Sequence, residues 1–386
     1  MKKNDFATFI VYVVMFAIAL AVGFAVIKPI ITDYGSALPI PAVLVMVIAL
    51  FVGVIINAVM LELCHVLGAK VGKYRVLKCV VLGFGVLNVG EKKKVSIMGF
   101  DGLTGETKVA PTDPEENSLN AYIFFPILFL IVEFVGCLVG IIVCQNLEAS
   151  TPSIAWLHIS LVTILTIGGM VYFYDLFPAR IESITDGYLL MLINKPVNRI
   201  AYNHLLLAQA AALEGKPAPE TQVYTDLTDF TVSLNMITVY RLLGEGKNEE
   251  ALAIIEPILA EGANVSEHIV DYARTLKLNI LLEDDNKDKG KKFYGSLADQ
   301  DKKYIADIGN LVALRAYILI AAFVEGSESE TNYAIEKVEK AIRACDPNYK
   351  NVEKSLLQLD VDLVREGHPS WEVARLPWED KPEEDK

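Results

Sequence analysis

Residues 41–69 read PAVLVMVIALFVGVIINAVMLELCHVLGA, an apolar run whose one formal charge, Glu62, comes near its end. A bilayer core about 30 Å thick is crossed by about 20 helical residues, so this run predicts a transmembrane helix. Three further stretches reach that length: Phe6 to Ile31, Ala121 to Cys144 and Ile154 to Tyr174. The first is too long, and too continuous with its flank, for the apolar stretch of a cleaved signal peptide. The expected fold is mainly α, with a polytopic bundle of four spans in a membrane domain over residues 1–195.

The segment Tyr74 to Pro111 joins spans two and three. It reads RVLKCVVLGFG from Arg75 and VSIMGF from Val95. These are β-branched and apolar runs punctuated by glycines, which predict a small β segment of short strands. Basic residues set the orientation. Lys2 and Lys3 precede span one, and Arg180, Lys195 and Arg199 follow span four. Lys70, Lys73, Arg75, Lys78 and Lys92-Lys93-Lys94 follow span two, whereas the connections 32–39 and 145–153 carry no Lys or Arg. Both termini and the β segment are therefore expected on the cytoplasmic side of a plasma membrane, a topology that fits a bacterial one.

Charge divides the chain. Residues 1–200 carry 14 acidic and 14 basic side chains and the remainder 34 and 21, so the net charge of −13 resides beyond residue 200. An acidic soluble half with no basic stripe excludes nucleic acid as a partner. The cysteines Cys64, Cys79, Cys137, Cys144 and Cys345 include no C-x-x-C pair. No disulfide framework or zinc knuckle is expected, and Cys345 is expected to be a reduced thiol.

Ionisable groups inside membrane spans are functional candidates by default. Span two ends in Leu61-Glu62-Leu63-Cys64-His65, where Glu62 and His65 are three apart and share a helix face. Span four ends in Tyr174-Asp175-Leu176-Phe177-Pro178, and Thr185-Asp186-Gly187 follows, which puts two carboxylates at the same depth as Glu62 and His65. Glu133 lies mid-span, where a carboxylate must be protonated or partnered. A structural hydrogen bond is its expected role, with a proton or ion pathway as the functional alternative. His158, near the outer end of span four, is expected to be interfacial and not a ligand.

Three of these stretches, taken in order, resemble the site-2 protease family of intramembrane zinc enzymes. The family has an H-E-x-x-H helix, a cytoplasmic G-F-G element and a later N-x-x-P…D-G motif. Here they appear as Leu61-Glu62-Leu63-Cys64-His65, Gly83-Phe84-Gly85, and Asp175-Leu176-Phe177-Pro178 with Asp186-Gly187, across roughly residues 40–195. The resemblance implies His65 and Asp186 as metal ligands and Glu62 as general base. Leu61 stands where the family has its first histidine, Asp175 stands for the asparagine, and Cys64 replaces a glycine often found there. Catalytic zinc normally takes three protein ligands and a water. Two readings follow: a metal-free, hydrogen-bonded remnant, or a rebuilt zinc site of His65, Asp175 and Asp186, with or without Cys64.

Beyond residue 195 the pattern is helical. Arg199 to Leu213 predicts an amphipathic helix ended by Gly215 and Pro217. Met236 to Ala251 resembles the helix–turn–helix of a tetratricopeptide repeat, with an echo at Ala334 and Ala341 leading into Asp346-Pro347-Asn348-Tyr349. Val270 to Leu282 and Ile308 to Phe323 predict further helices, and Asp284 to Lys292 a charged loop. His204, His268 and His368 are scattered and carry no motif. The expected architecture is thus a cytoplasmic all-α domain over 196–375, either tetratricopeptide-like or irregular without true repeats, followed by an acidic disordered tail over 376–386.

Together these observations predict an inactive, metalloprotease-like scaffold, adaptor or regulator without a cofactor, embedded in the lipid bilayer. It would bind membrane-protein segments and, through its helical domain, cytoplasmic protein partners. The alternatives are an active intramembrane zinc endopeptidase and, third, a transport-machine subunit using Glu133.

Overall fold

The structure, a computed structural model of the chain, describes residues 3–89, 92–100, 102–178, 180–181, 183–260, 265–284, 287–306, 308, 310–345 and 349–379. It divides into two units, Met1–Leu206 and Leu207–Lys386.

In the first unit, α1 (Lys3–Val22) continues through a π-turn, Gly23–Ile27, into α2 (Lys28–Tyr34). Then come α3 (Ala42–Val71), α4 (Asn120–Leu147) and α5 (Ala155–Leu176). Four helical stretches are long and apolar enough to cross a membrane: Thr8–Ala37, Ala42–Val71, Asn120–Leu147 and Pro152–Leu176. Their 25 to 30 residues correspond to about 38–45 Å, more than the thickness of a bilayer's hydrocarbon core. The outer face is apolar: Phe16 is 66 % exposed, Phe24 66 % and Phe51 63 %. Apolar surface on that scale is consistent with contact to lipid.

The helices α3, α4 and α5 pack on one another, and small residues set how closely. A methyl group on Gly53 would lie 3.3 Å from Ile164 Cα on α5, and one on Gly68 only 2.4 Å from the Ala121 carbonyl oxygen on α4. Backbones meet there because glycine leaves room, as in membrane helix pairs generally.

The expected β segment is a four-stranded antiparallel sheet of β1 (Tyr74–Val81), β2 (Phe84–Val89), β3 (Lys92–Ile97) and β4 (Gly105–Pro111), in the order β3-β2-β1-β4. Leu82 (φ 49°) and Gly83 (φ 87°) make the two-residue turn between β1 and β2, the left-handed pair that matches strand twist. On β1, Leu77 is one residue too many between the pairs Val76 with Val109 and Lys78 with Lys108, and this bulge turns it inward. The β2–β3 register pairs Phe84 with Ile97 and Val86 with Val95, which puts all four on one face. Of these, Phe84 is 71 % exposed and Ile97 80 %. A short ladder of β5 (Arg180–Ile181) and β6 (Ser183–Ile184) leads to α6 (Asp186–Ile193) and α7 (Pro196–Leu213). The last begins three residues before the expected Arg199, since proline suits a first helical turn.

In the second unit the described residues are all α: α8 (Asp229–Gly244), α9 (Asn248–Ile255), α10 (Glu267–Glu283), α11 (Asp288–Ser296), α12 (Asp299–Ala306), α13 (Leu311–Ile320), α14 (Glu328–Ala344) and α15 (Lys350–Gly367). Thr228 and Thr231 cap α8 reciprocally, and Gly246 (φ 72°) turns the chain into α9. That helix pair falls where the helix–turn–helix pattern lies. Ala334 and Ala341 are buried on α14, while Asp346, Pro347 and Asn348 lie outside the described residues. The charged stretch Asp284 to Lys292 is not simply a loop: α11 starts at Asp288. The apolar side chains of Leu282 and Phe293 give this polar segment a core to pack on, which its charge concealed.

The expected disorder from residue 376 is also corrected for 376–379. Leu376 is 1 % exposed, and Trp378 packs on the same cluster as Val361 and Val364 of α15. Arg365 holds the Glu379 carboxyl down at about 2, against the smaller opposing effect of burial. The sequence remainder, 380–386, lies outside the described residues.

A polar network sits inside this unit. The buried Arg315 guanidinium donates from Nε to Asp360 Oδ2 at 2.7 Å, from Nη1 to Glu353 Oε2 at 3.3 Å and from Nη2 to Glu283 Oε1. Tyr240 also donates to Glu353. One cation thus faces three carboxylates, and Asp360 Oδ1 has no hydrogen-bond partner. Burial first, and then the neighbouring Glu283, push Asp360 well above the usual carboxylate range although Arg315 opposes them.

A buried histidine and carboxylate cluster as the candidate functional site

Three elements bring the polar residues of the spans together. The helical spacing of α3 puts Glu62 and His65 on one face, and both are buried. The last turn of α5 supplies Asp175. Thr185 caps α6 by accepting from the Tyr188 amide at 3.2 Å and anchors the turn by donating to the Phe177 carbonyl at 2.6 Å. Asp186 is thereby fixed at the first position of α6, where the helix dipole favours a carboxylate. Gly187 is obligatory beside it, since a methyl group there would stand 2.0 Å from the Leu176 carbonyl oxygen.

His65 Nε2 lies 2.9 Å from Asp186 Oδ2, and Nδ1 lies 3.6 Å from Glu62 Oε2. Thr107 on β4 donates to Glu62 Oε2 at 2.6 Å. Gly105 lets that strand lie against Glu62, because a methyl group on it would meet Glu62 Oε1 at 2.9 Å. The Tyr122 ring stacks on His65 at 4.4 Å between centroids, and its hydroxyl donates to the Thr107 carbonyl at 3.0 Å. Asp175 accepts from the Asp186 backbone amide, and its Oδ2 is buried without a hydrogen-bond partner. On α7, Tyr202 lies within electrostatic reach of Asp186. Burial first and that carboxylate second keep its phenol protonated well beyond the ordinary range. Burial likewise pushes up the Cys79 thiol, which bonds to Thr107 on the edge of the cluster.

The sequence-derived candidates Glu62, His65, Asp175 and Asp186 therefore converge. Cys64 is buried next to His65 but is not among the convergent donor atoms. Leu61 packs with Val171 and Tyr172, so the position before Glu62 is filled by apolar contact. Thr107, Tyr122 and Gly105 were not singled out from the sequence. A threonine in a strand and a tyrosine at a span end carry no signal until the sheet is seated on α3. His158, expected near the outer end of span four and not as a ligand, is buried within the protein, with its Nδ1 2.6 Å from Glu148 Oε1. Both are polar groups at a helix junction and meet there, while His158 Nε2 is buried without a hydrogen-bond partner. Glu133 accepts from Asn57 Nδ2 at 3.0 Å, the structural hydrogen bond expected for it.

His65, Asp175 and Asp186 each offer a donor atom, all within 4.8 Å of one another, so their number and span fit a three-ligand site. Their chemistry fits zinc less well than the family pattern, with one imidazole and two carboxylates. Donors around a zinc ion at about 2.0–2.1 Å stand roughly 3.3 Å apart in a tetrahedron. The 2.9 Å between His65 Nε2 and Asp186 Oδ2 is instead a hydrogen-bond distance.

Fold and site define the class: a bundle of membrane-length helices with a small antiparallel sheet seated over a buried histidine–carboxylate cluster. No protein-family model, curated protein or solved structure matches the chain.

Proposed function

We propose that the chain is a non-proteolytic relative of site-2 proteases, a plasma-membrane scaffold or adaptor with both termini cytoplasmic. Its cluster serves as a polar clamp between α3, α5 and α6, and its helical-repeat domain docks cytoplasmic proteins. The observation that carries this reading is the direct His65–Asp186 contact of 2.9 Å beside a hydrophobically packed Leu61. The paired His65 Nε2 and Asp186 carboxylate offset part of each other's desolvation without a metal, while His65 Nδ1 is buried without a hydrogen-bond partner. Edge strand β3, with Val95 76 % exposed, offers unpaired backbone groups and apolar side chains to an extended segment of a membrane protein.

The test is co-purification of cross-linked membrane partners with full-length protein. Glu62→Gln is expected to leave the captured set unchanged. Val95→Pro, which removes an amide from an exposed edge, is expected to abolish capture of extended segments. Equal loss in both variants, or a cleaved partner that becomes intact in Glu62→Gln, would defeat the scaffold reading.

A second reading is favoured by one observation, the buried and unpartnered Asp175 Oδ2 next to the other two donors. In it, His65, Asp175 and Asp186 hold a divalent ion, which would supply a more acidic water. Glu62, positioned by Thr107, is then the base. This is the active endopeptidase of the same family.

A further inference from the structure

A second polar group lies deeper among the spans, two helical turns (about 12 Å) before His65 on α3. Asn57 is fully buried. Its Nδ2 donates to the Gly53 carbonyl at 3.0 Å and to Glu133 Oε1, on α4, at 3.0 Å. Both amide hydrogens are thereby used. Two acceptors remain, Asn57 Oδ1 and Glu133 Oε2, each buried and without a hydrogen-bond partner. They point at the same place: a methyl group on Gly168 of α5 would stand 2.5 Å from Glu133 Oε2 and 2.9 Å from Asn57 Oδ1. Two lone-pair oxygens converging with no donor between them repel each other, and in a bilayer no water offsets the cost.

The number of acceptors selects the ligand. A divalent metal ion takes at least four donor atoms, and here only two oxygens are open. One proton on one of them satisfies both. Among the described residues no Lys, Arg or His forms an ion pair with Glu133. The titratable groups in electrostatic reach of it are Cys137, one turn along α4, and Tyr172, one turn beyond Gly168 on α5. Neither supplies a positive charge.

We propose that Glu133 and Asn57 form a proton-binding acid–amide pair inside the bundle. Glu133 carries the proton on Oε2 and donates it to Asn57 Oδ1, while Asn57 Nδ2 donates to Glu133 Oε1. The resulting ring of two reciprocal hydrogen bonds ties α3 to α4, and Gly168 is glycine because any side chain would enter the ring. The ligand of this site is the proton itself, and the inference is independent of whether the His65 cluster binds metal.

Infrared spectroscopy of the full chain in lipid vesicles at neutral pH tests it. Wild type is expected to show a carbonyl band of a protonated carboxylic acid that is absent from Glu133→Gln. That variant is expected to fold with unchanged thermal stability, because a glutamine amide donates to Asn57 Oδ1 and accepts from Nδ2 in the same places. In Asn57→Ala the band is expected to shift in frequency as the acid loses its partner. Identical wild-type and Glu133→Gln spectra in the acid-carbonyl region overturn the proposal. So does a Glu133→Gln chain that fails to fold, since only an ionised carboxylate would make the amide a poor substitute. A band present in wild type but unmoved by Asn57→Ala removes Asn57 from the site and also overturns it.

Discussion

Arg315→Met is expected to unfold the C-terminal unit at a markedly lower temperature than wild type. The substitution keeps the apolar stem but leaves Glu283, Glu353 and Asp360, all within reach of the guanidinium, buried without a counter-charge. Breaking a buried ion pair by removing one partner costs about 3–5 kcal/mol. In a unit of this size that corresponds to a fall of roughly 6–20 °C in Tm. Tryptophan fluorescence of the full chain in detergent reads it, because Trp371 and Trp378 pack on the core of this unit. An unchanged transition would mean that the network is not formed. Asp360→Asn should behave oppositely. A carboxyl whose folded value is raised contributes stability that is complete below its unfolded value and is lost as pH rises through the folded one. Wild type should therefore weaken as pH climbs from the ordinary carboxylate range upward. Asp360→Asn should flatten that decline with little cost at neutral pH.

Gly187→Val is the second large effect. The methyl position on Gly187 is 2.0 Å from the Leu176 carbonyl oxygen and 2.5 Å from its carbon, and backbone atoms have no rotamer to yield. The first turn of α6 must move, and Asp186 moves with it away from His65. Overpacking of this kind costs about 1–3 kcal/mol, to which the loss of the buried His65–Asp186 contact adds. Gly136→Ala and Gly169→Ala are the controls, since neither would place a methyl within 4 Å of another group. They should be neutral or slightly stabilising because alanine favours helix over glycine. Thermal unfolding of the membrane unit in detergent separates the cases. A Gly187→Val chain as stable as the controls would show that α6 is not held against α5 as described.

Much of this was legible in the residues. The four apolar runs predict the membrane-length helices because periodicity is irrelevant where every face is apolar and length alone decides. Glu62 and His65 declare themselves as ionisable groups inside such a run, and Asp186 as a carboxylate at the same depth after span four. The partners were less legible. Thr107 reaches Glu62 only because the bulge at Leu77 and the Gly105 approach seat the sheet on α3, a tertiary fact with no local signature. Asn57 was readable in principle as an amide in an apolar span, yet its meaning came only with Glu133 and Gly168 beside it. In the soluble half, α11 was hidden because charge in Asp284 to Lys292 masked the Phe293 face. The ordered 376–379 segment was hidden because its anchor is an Arg365–Glu379 pair made across a turn.

In the proposed scaffold, the direct contact between His65 Nε2 and Asp186 Oδ2 holds the cluster without a metal. Elemental mass spectrometry of full-length protein, purified from membranes without chelator, tests it most directly. Substoichiometric zinc and other divalent metals are expected, with the same residual level in Asp186→Ala. Near-stoichiometric metal in wild type that disappears in Asp186→Ala and in Asp175→Ala would contradict it.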